Sequence, residues 1–188
     1  MQQMAKVGAV MLVGILVATA TVSRAQSPYG IGRAATAAEI AGWNIDIGRD
    51  GSGLPAGSGS VSHGREVYRS QCAACHGDNG QGGIGDRLVG GQGTLATSRP
   101  IRTVGSYWPY APTLFDYIRR AMPQNAPGSL SNEDVYAVSA YILNLNRLLP
   151  ADAVLDAKTM AAIKMPNRKM FVDDARPDVK NSACMSGC

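Results

Sequence analysis

The stretch Cys72-Ala73-Ala74-Cys75-His76 carries the most specific chemistry in this chain. Two thiols a turn apart can add to the two vinyl groups of one porphyrin. The histidine that follows then stands against the iron as proximal ligand, and C-x-x-C-H is the attachment pattern of a c-type haem. A zinc site would need two further ligands at matching spacing. The chain offers no second C-x-x-C and no H-x-x-x-H. A thioredoxin-like dithiol would want a βαβ setting, and none surrounds the motif. One covalent haem c is therefore expected on Cys72 and Cys75, with His76 on its iron.

The sixth coordination position decides what such a haem does. A thioether there favours ferrous iron and raises the reduction potential, which suits electron transfer; an exchangeable position suits peroxidase-like or gas-binding chemistry. Beyond residue 25 the methionines are Met122, Met160, Met165, Met170 and Met185. Met122 follows one predicted helix and precedes Pro123-Gln124-Asn125-Ala126-Pro127, a loop able to fold over the second haem face. Ordinary core filling is the competing reading of Met122. His63 belongs to the start of His76's own helix and would have to fold back to reach the iron, so it reads as a capping or exposed residue. Cys184 and Cys188 have no histidine after them, which argues against a second haem. An even pair in an oxidising compartment usually forms a disulfide; a functional thiol or a link to another subunit are the alternatives.

The elements that must position these groups are helical. Gly64, Val67, Tyr68 and Cys72 share one face of a helix expected to start near Ser62 or His63 and to end at Gly77. Residues 77–93 hold eight glycines. No Gly-Lys-Ser/Thr follows, as a phosphate loop would require, whereas backbone lying close against a flat cofactor also favours glycine. Leu88 and Val89 are the apolar residues of that loop. A second helix runs from Pro112 or Thr113 to Ala121, with Leu114, Tyr117, Ile118 and Ala121 on one face and Pro123 as its stop. A third opens at Ser131-Asn132-Glu133-Asp134 and carries the stripe Val135, Val138, Ile142 and Leu145. A short helix within Ala34–Ile47 and a flexible Gly51–Ser60 lead-in precede the haem helix. The tail after Pro150 reads as a wrap around the core or a docking surface.

Lys6 precedes an apolar run from Val7 to Val22, and Ser23-Arg24-Ala25 offers a cleavage-like site. That is the form of a secretory signal, too short for a comfortable membrane span. Export to the periplasm agrees with the haem motif, because bacterial haem attachment is completed outside the cytoplasm. The expected organisation is a signal peptide at 1–25, an extension and linker at 26–60, a cytochrome-like domain at 61–147 and a C-terminal extension at 148–188. Removing Lys6 and Arg24 from 18 basic residues leaves 16 against 14 acidic ones. So balanced a chain gives no reason to expect nucleic acid. Loss of the apolar signal segment also predicts no stable membrane insertion after cleavage. Aromatics make up only 6% of the chain, and a buried porphyrin supplies missing core.

The Gly64/Tyr68 lead-in, the Cys72–His76 motif, Met122-Pro123 and the Asn132–Leu145 helix with Tyr141 resemble the class I c-type cytochromes. The resemblance implies an all-α fold of three main helices around one covalent haem, with the first and last helices crossing at Gly64, Tyr68 and Tyr141. More specific segments extend outside that core. Ile31-Gly32-Arg33, Ala38–Asp46, Gly53–Gly59, Gly105–Tyr110, Asp116–Pro123, Met165–Arg168 and Cys184-Met185 resemble the cytochrome subunit of Sox-type sulfur (sulfane) dehydrogenase. In that family the cytochrome takes electrons from a molybdenum-cofactor subunit that oxidises carrier-bound sulfur. The resemblance therefore implies a periplasmic monohaem relay in sulfur oxidation, with a downstream cytochrome or oxidase as acceptor. It also leaves room for a sulfite dehydrogenase as the partner enzyme. Unlike many such subunits, the given sequence carries one C-x-x-C-H. Asp86 stands where class I cytochromes often have a proline whose carbonyl accepts the proximal histidine's N–H; its own carbonyl is equally available. Leu88, Tyr107, Trp108 and Ile118 are the expected pocket residues, and Arg102 with Tyr110 the expected propionate partners. The rival expectation is catalysis at the haem, with a labile sixth ligand or Cys184 thiolate in place of Met122.

Overall fold

The computed structural model describes residues 31–172. The segment read as a signal peptide, and the Cys184/Cys188 pair, lie outside the described residues. No helix among those described is long and apolar enough to cross a membrane.

Residues 31–43 form a unit of their own. It holds α1 (Ala37–Trp43), shorter than the Ala34–Ile47 window. Thr36 and Glu39 cap it reciprocally: the Thr36 N–H donates to Glu39 Oε2 at 2.8 Å, and the Glu39 N–H to Thr36 Oγ1 at 3.2 Å. Arg33 pairs with the Glu39 carboxylate, and these contacts hold its pKa down at about 2.

The second unit begins at Asn44 and carries β1 (Ser58–Ser60), α2 (Val61–Gln71), α3 (Ala73–His76), α4 (Ala111–Ala121), α5 (Asn132–Leu145), β2 (Val154–Asp156) and α6 (Ala157–Ala161). The three main helices α2, α4 and α5 fall close to where periodicity and caps place them. Ser60 caps α2, its side chain accepting the His63 N–H, and Ser131 caps α5 by accepting the Asp134 N–H.

Helix α5 is the axis of this unit. Every residue from Val135 to Leu143 is buried, far more than the single stripe expected. The reason is that α2, α4, β1 and β2 all pack on it. Against α2 the approach is so close that a Cβ at Gly64 would overlap the Ala137 carbonyl, and the Tyr68 and Tyr141 rings meet at 5.3 Å between centroids. That is the expected crossing of first and last helices.

One expectation is corrected. The lead-in at 51–60 is not a free linker: its last residues form β1, which pairs antiparallel with β2, Gly59 opposite Leu155. A Cβ at Gly59 would overlap the α5 backbone at Ala137, so glycine is what lets the strand lie on the helix. Tyr136 donates its hydroxyl to the Pro55 carbonyl at 2.8 Å. The flanking segments also add to the core, as a wrapping tail would. Ile47 from one side, and Leu155, Met160 and Met165 from the other, are buried in the common core. Strands of three residues are too short to show an alternating pattern, which hides them from periodicity.

Candidate functional site: the Cys72–His76 turn and its surroundings

Helix α2 does not run through to Gly77 as expected. It breaks at Cys72 (φ −123°, ψ −37°), and α3 restarts at Ala73. The Cys75 and His76 N–H groups both donate to the Cys72 carbonyl, at 3.1 and 3.0 Å. This folds both thiols and the imidazole into one turn. Gly77 (φ 78°) closes it in the left-handed region that favours glycine. Cys72 packs against the core while Cys75 is exposed. Burial, and then the neighbouring Cys75, push the free Cys72 thiol up to about 11, so its sulfur is neutral at physiological pH.

The orientation of His76 follows from one hydrogen bond. Its Nδ1 lies 2.6 Å from the Asp86 carbonyl oxygen. A carbonyl can only accept, so Nδ1 carries the proton and Nε2 keeps its lone pair for a metal. The loop backbone is laid on the ring: a Cβ at Gly85 would stand 3.0 Å from Cε1 and 3.1 Å from Nδ1. The Gly85 N–H donates to the Cys75 carbonyl at 2.9 Å and the Gly82 N–H to the His76 carbonyl at 2.8 Å. The glycine loop thus lies close against the turn that would bear a flat cofactor, rather than cradling a phosphate. From the core side, the Tyr68 hydroxyl donates to the Gly77 carbonyl at 2.8 Å. Burial raises its pKa to about 12, which keeps it a donor at every physiological pH.

Met122 is the C-cap of α4, in extended conformation (φ −121°, ψ 144°), and its peptide bond to Pro123 is cis. It is half-buried against the same core as Leu88, Trp108, Cys72 and Ala73. Met160 and Met165 are fully committed to the core, and Met170 is 68% exposed. Ile118 points into the core, 6% exposed, whereas Tyr107 is 39% exposed with Phe171 edge-on to its ring at 5.6 Å. The Arg102 guanidinium lies 5.7 Å from the Tyr107 ring centroid. Tyr110 receives Arg168 at 5.3 Å and Arg49 at 5.9 Å. The His63 Nε2–H donates to Asp134 Oδ1 at 2.7 Å on the surface.

Gly85 and the two extra arginines at Tyr110 were not singled out by sequence reasoning, although the density of glycine around position 85 was a usable signal. The donor set suits a covalently attached haem: two thiols and an imidazole with a free Nε2 share one turn, backed by glycine-only backbone.

Residues 59–142 match the family model described as cytochrome c oxidase, cbb3-type, subunit III. Over 90 residues the chain is 32% identical to thiosulfate dehydrogenase of Stutzerimonas stutzeri (strain A1501), covering 47% of this chain but only 28% of that protein. The structure superposes with a TM-score of 0.74 on a chain of the sulfane dehydrogenase SoxCD from Paracoccus pantotrophus. Identity there is 39%, over 85% of this chain and 81% of the other. A likeness of that depth across the core and both extensions makes this chain a member of the class I c-type cytochromes, carrying haem c, in the family of that SoxCD chain.

Proposed function

We propose that the chain is an exported, electron-relaying cytochrome subunit of a molybdenum-dependent dehydrogenase acting in sulfur oxidation. In this reading Cys72 and Cys75 would hold the haem by thioethers, and His76 and Met122 would ligate its iron. The haem supplies a one-electron ferric/ferrous couple. The chain's own contribution is to fix the His76 tautomer through the Asp86 carbonyl and to keep Met122 at the end of a rigid helix. Leu88, Trp108 and Tyr107 line the haem, and Arg102 with Tyr110 serves its propionates. Arg168 and Arg49, both against Tyr110, add positive charge on that side. Electrons enter from the molybdenum subunit and leave to a downstream cytochrome or oxidase, both through the edge near Ala74 and the Pro123–Ala126 loop.

The observation that carries this reading is the extent of the likeness to the SoxCD chain, which covers 85% of the chain, well beyond the matched cytochrome segment. An electron carrier with a generic role would have no need of the same extensions.

The test begins with an absorption spectrum of the oxidised, periplasmically matured protein. A weak near-infrared methionine–iron(III) band that vanishes in Met122→Ala supports the relay. Its absence from folded wild type removes Met122 as ligand. Isolation from the native periplasm then tests the partner: molybdenum should co-purify in fixed proportion to haem iron, and a molybdenum-free preparation ends that part of the proposal.

The likeness to a thiosulfate dehydrogenase favours a second reading, catalysis on a sulfur compound at the haem itself. It requires a labile sixth ligand or Cys184 thiolate. Turnover of thiosulfate by the isolated chain, lost on Cys184→Ser, would select it over the relay.

A further inference from the structure

The proximal loop is tied to the rest of the fold by Asn146, the C-cap of α5. Its side chain is 3% exposed and fully engaged. Oδ1 accepts the Gly90 N–H at 3.0 Å, and Nδ2 donates to the Leu88 and Ile142 carbonyls at 3.1 and 2.9 Å. Gln92 Nε2 adds a contact to the Asn146 carbonyl at 3.3 Å. Thr103 grips the loop from the other side, its Oγ1 donating to the Gly90 carbonyl at 2.5 Å. Gly105 packs so closely that a Cβ there would overlap the Asn146 amide. The next residue, Arg147, sits at φ 60°, a left-handed conformation usually left to glycine or asparagine at a helix end.

We propose that Asn146 is a positioning residue for His76. Leu88 lies two residues beyond Asp86, whose carbonyl takes the His76 N–H. The Leu88 and Val89 N–H groups both donate to the Gly80 carbonyl, which ties the segment only to its own loop. Asn146, aided by Thr103, references that loop to the central helix and so fixes the reach of the Asp86 carbonyl toward the imidazole. That hydrogen bond gives the imidazole more anionic character, strengthens its donation and lowers the reduction potential. Asn146 therefore tunes the relay through backbone, from the end of the helix opposite the first turn, where Asp134 meets His63. The inference rests on His76 being the haem ligand.

The test compares the haem-loaded full chain with its Asn146→Asp and Thr103→Val variants. Aspartate keeps an acceptor for the Gly90 N–H but sets a carboxylate oxygen against the Leu88 and Ile142 carbonyls. The expected result is an upward shift in reduction potential, with the His76 Nδ1 proton exchanging faster by NMR. Thr103→Val should shift both in the same direction and by less. A folded Asn146→Asp with wild-type potential and exchange, changed only in melting temperature, overturns the proposal and leaves a helix cap. If that variant does not fold, Thr103→Val decides, and unchanged values there overturn it equally. Failure of the haem reading is distinguishable, because wild type itself would then show no covalent haem spectrum.

Discussion

The two sides of the site are built differently. On the His76 side, the chain from Cys72 to Gly90 is bound by Tyr68, Thr103 and Asn146 from three other parts of the fold. On the Met122 side, the bonds that residues 122–129 make among the described residues are local backbone ones: Met122 to Ile118, Ala126 to Pro123 and Ser129 to Ala126. Gln124 to Ser129 are all exposed. A segment with few long-range bonds and little burial opens at lower free energy than the core beside it. In the proposed ligand set, His76 is thus held by tertiary structure and Met122 by a helix end and a proline turn. This suits a relay whose proximal bond must not change between redox states while the distal loop adapts to partners.

The contrast can be broken at its foundation. Gly64→Val should cost about 3 kcal/mol or more, because the α2–α5 crossing that carries the whole His76 side has no room for a Cβ. Thermal unfolding of the haem-loaded protein reads it, and a change below about 1 kcal/mol would mean the helices slide apart easily. Met122→Ala, by contrast, should cost only about 1–2 kcal/mol, at the low end for methionine truncation because the side chain is half-buried. Denaturant unfolding monitored by circular dichroism measures it, and loss of the fold would show that the distal side is structural after all. Tyr68→Phe keeps the ring contact with Tyr141 but leaves the Gly77 carbonyl short of a donor. The expected loss is about 1–2 kcal/mol, with faster amide exchange at Gly77 and none of that effect in the 122–129 loop.

The smallest effect concerns the cap of α6. Asp156 caps α6 by accepting the Thr159 N–H at 2.7 Å, and this bond lowers its pKa. A carboxylate depressed in the folded state stabilises above its unfolded pKa and loses that contribution as pH falls through the folded value. The melting-temperature gap between wild type and Asp156→Asn should therefore be present at neutral pH and close in acid. A gap that widens in acid contradicts the cap.

Much of this was legible in the chain. Cys72, Cys75 and His76 are brought together by one turn, so their chemistry is a local property and spacing alone exposes it. The caps Ser60 and Ser131 and the stop at Pro123 are local in the same sense. The burial of α5 on all sides was not legible, since a stripe predicts one partner and Val135 to Leu143 has several. The ribbon escaped because Gly59 and Leu155 are distant in sequence and their strands are only three residues long.

The sequence by itself determined the donor atoms, the helices that carry them and the family to which the chain belongs, because side-chain chemistry and helical spacing act over a few residues. Tertiary structure decided how those donors are held. The Asp86 carbonyl reaches His76 only once a glycine loop has folded back on the turn. Asn146 meets Gly90 and Leu88 across 56 and 58 residues of chain. Backbone carbonyls and amides are the same at every position, so which of them meet is settled by packing alone.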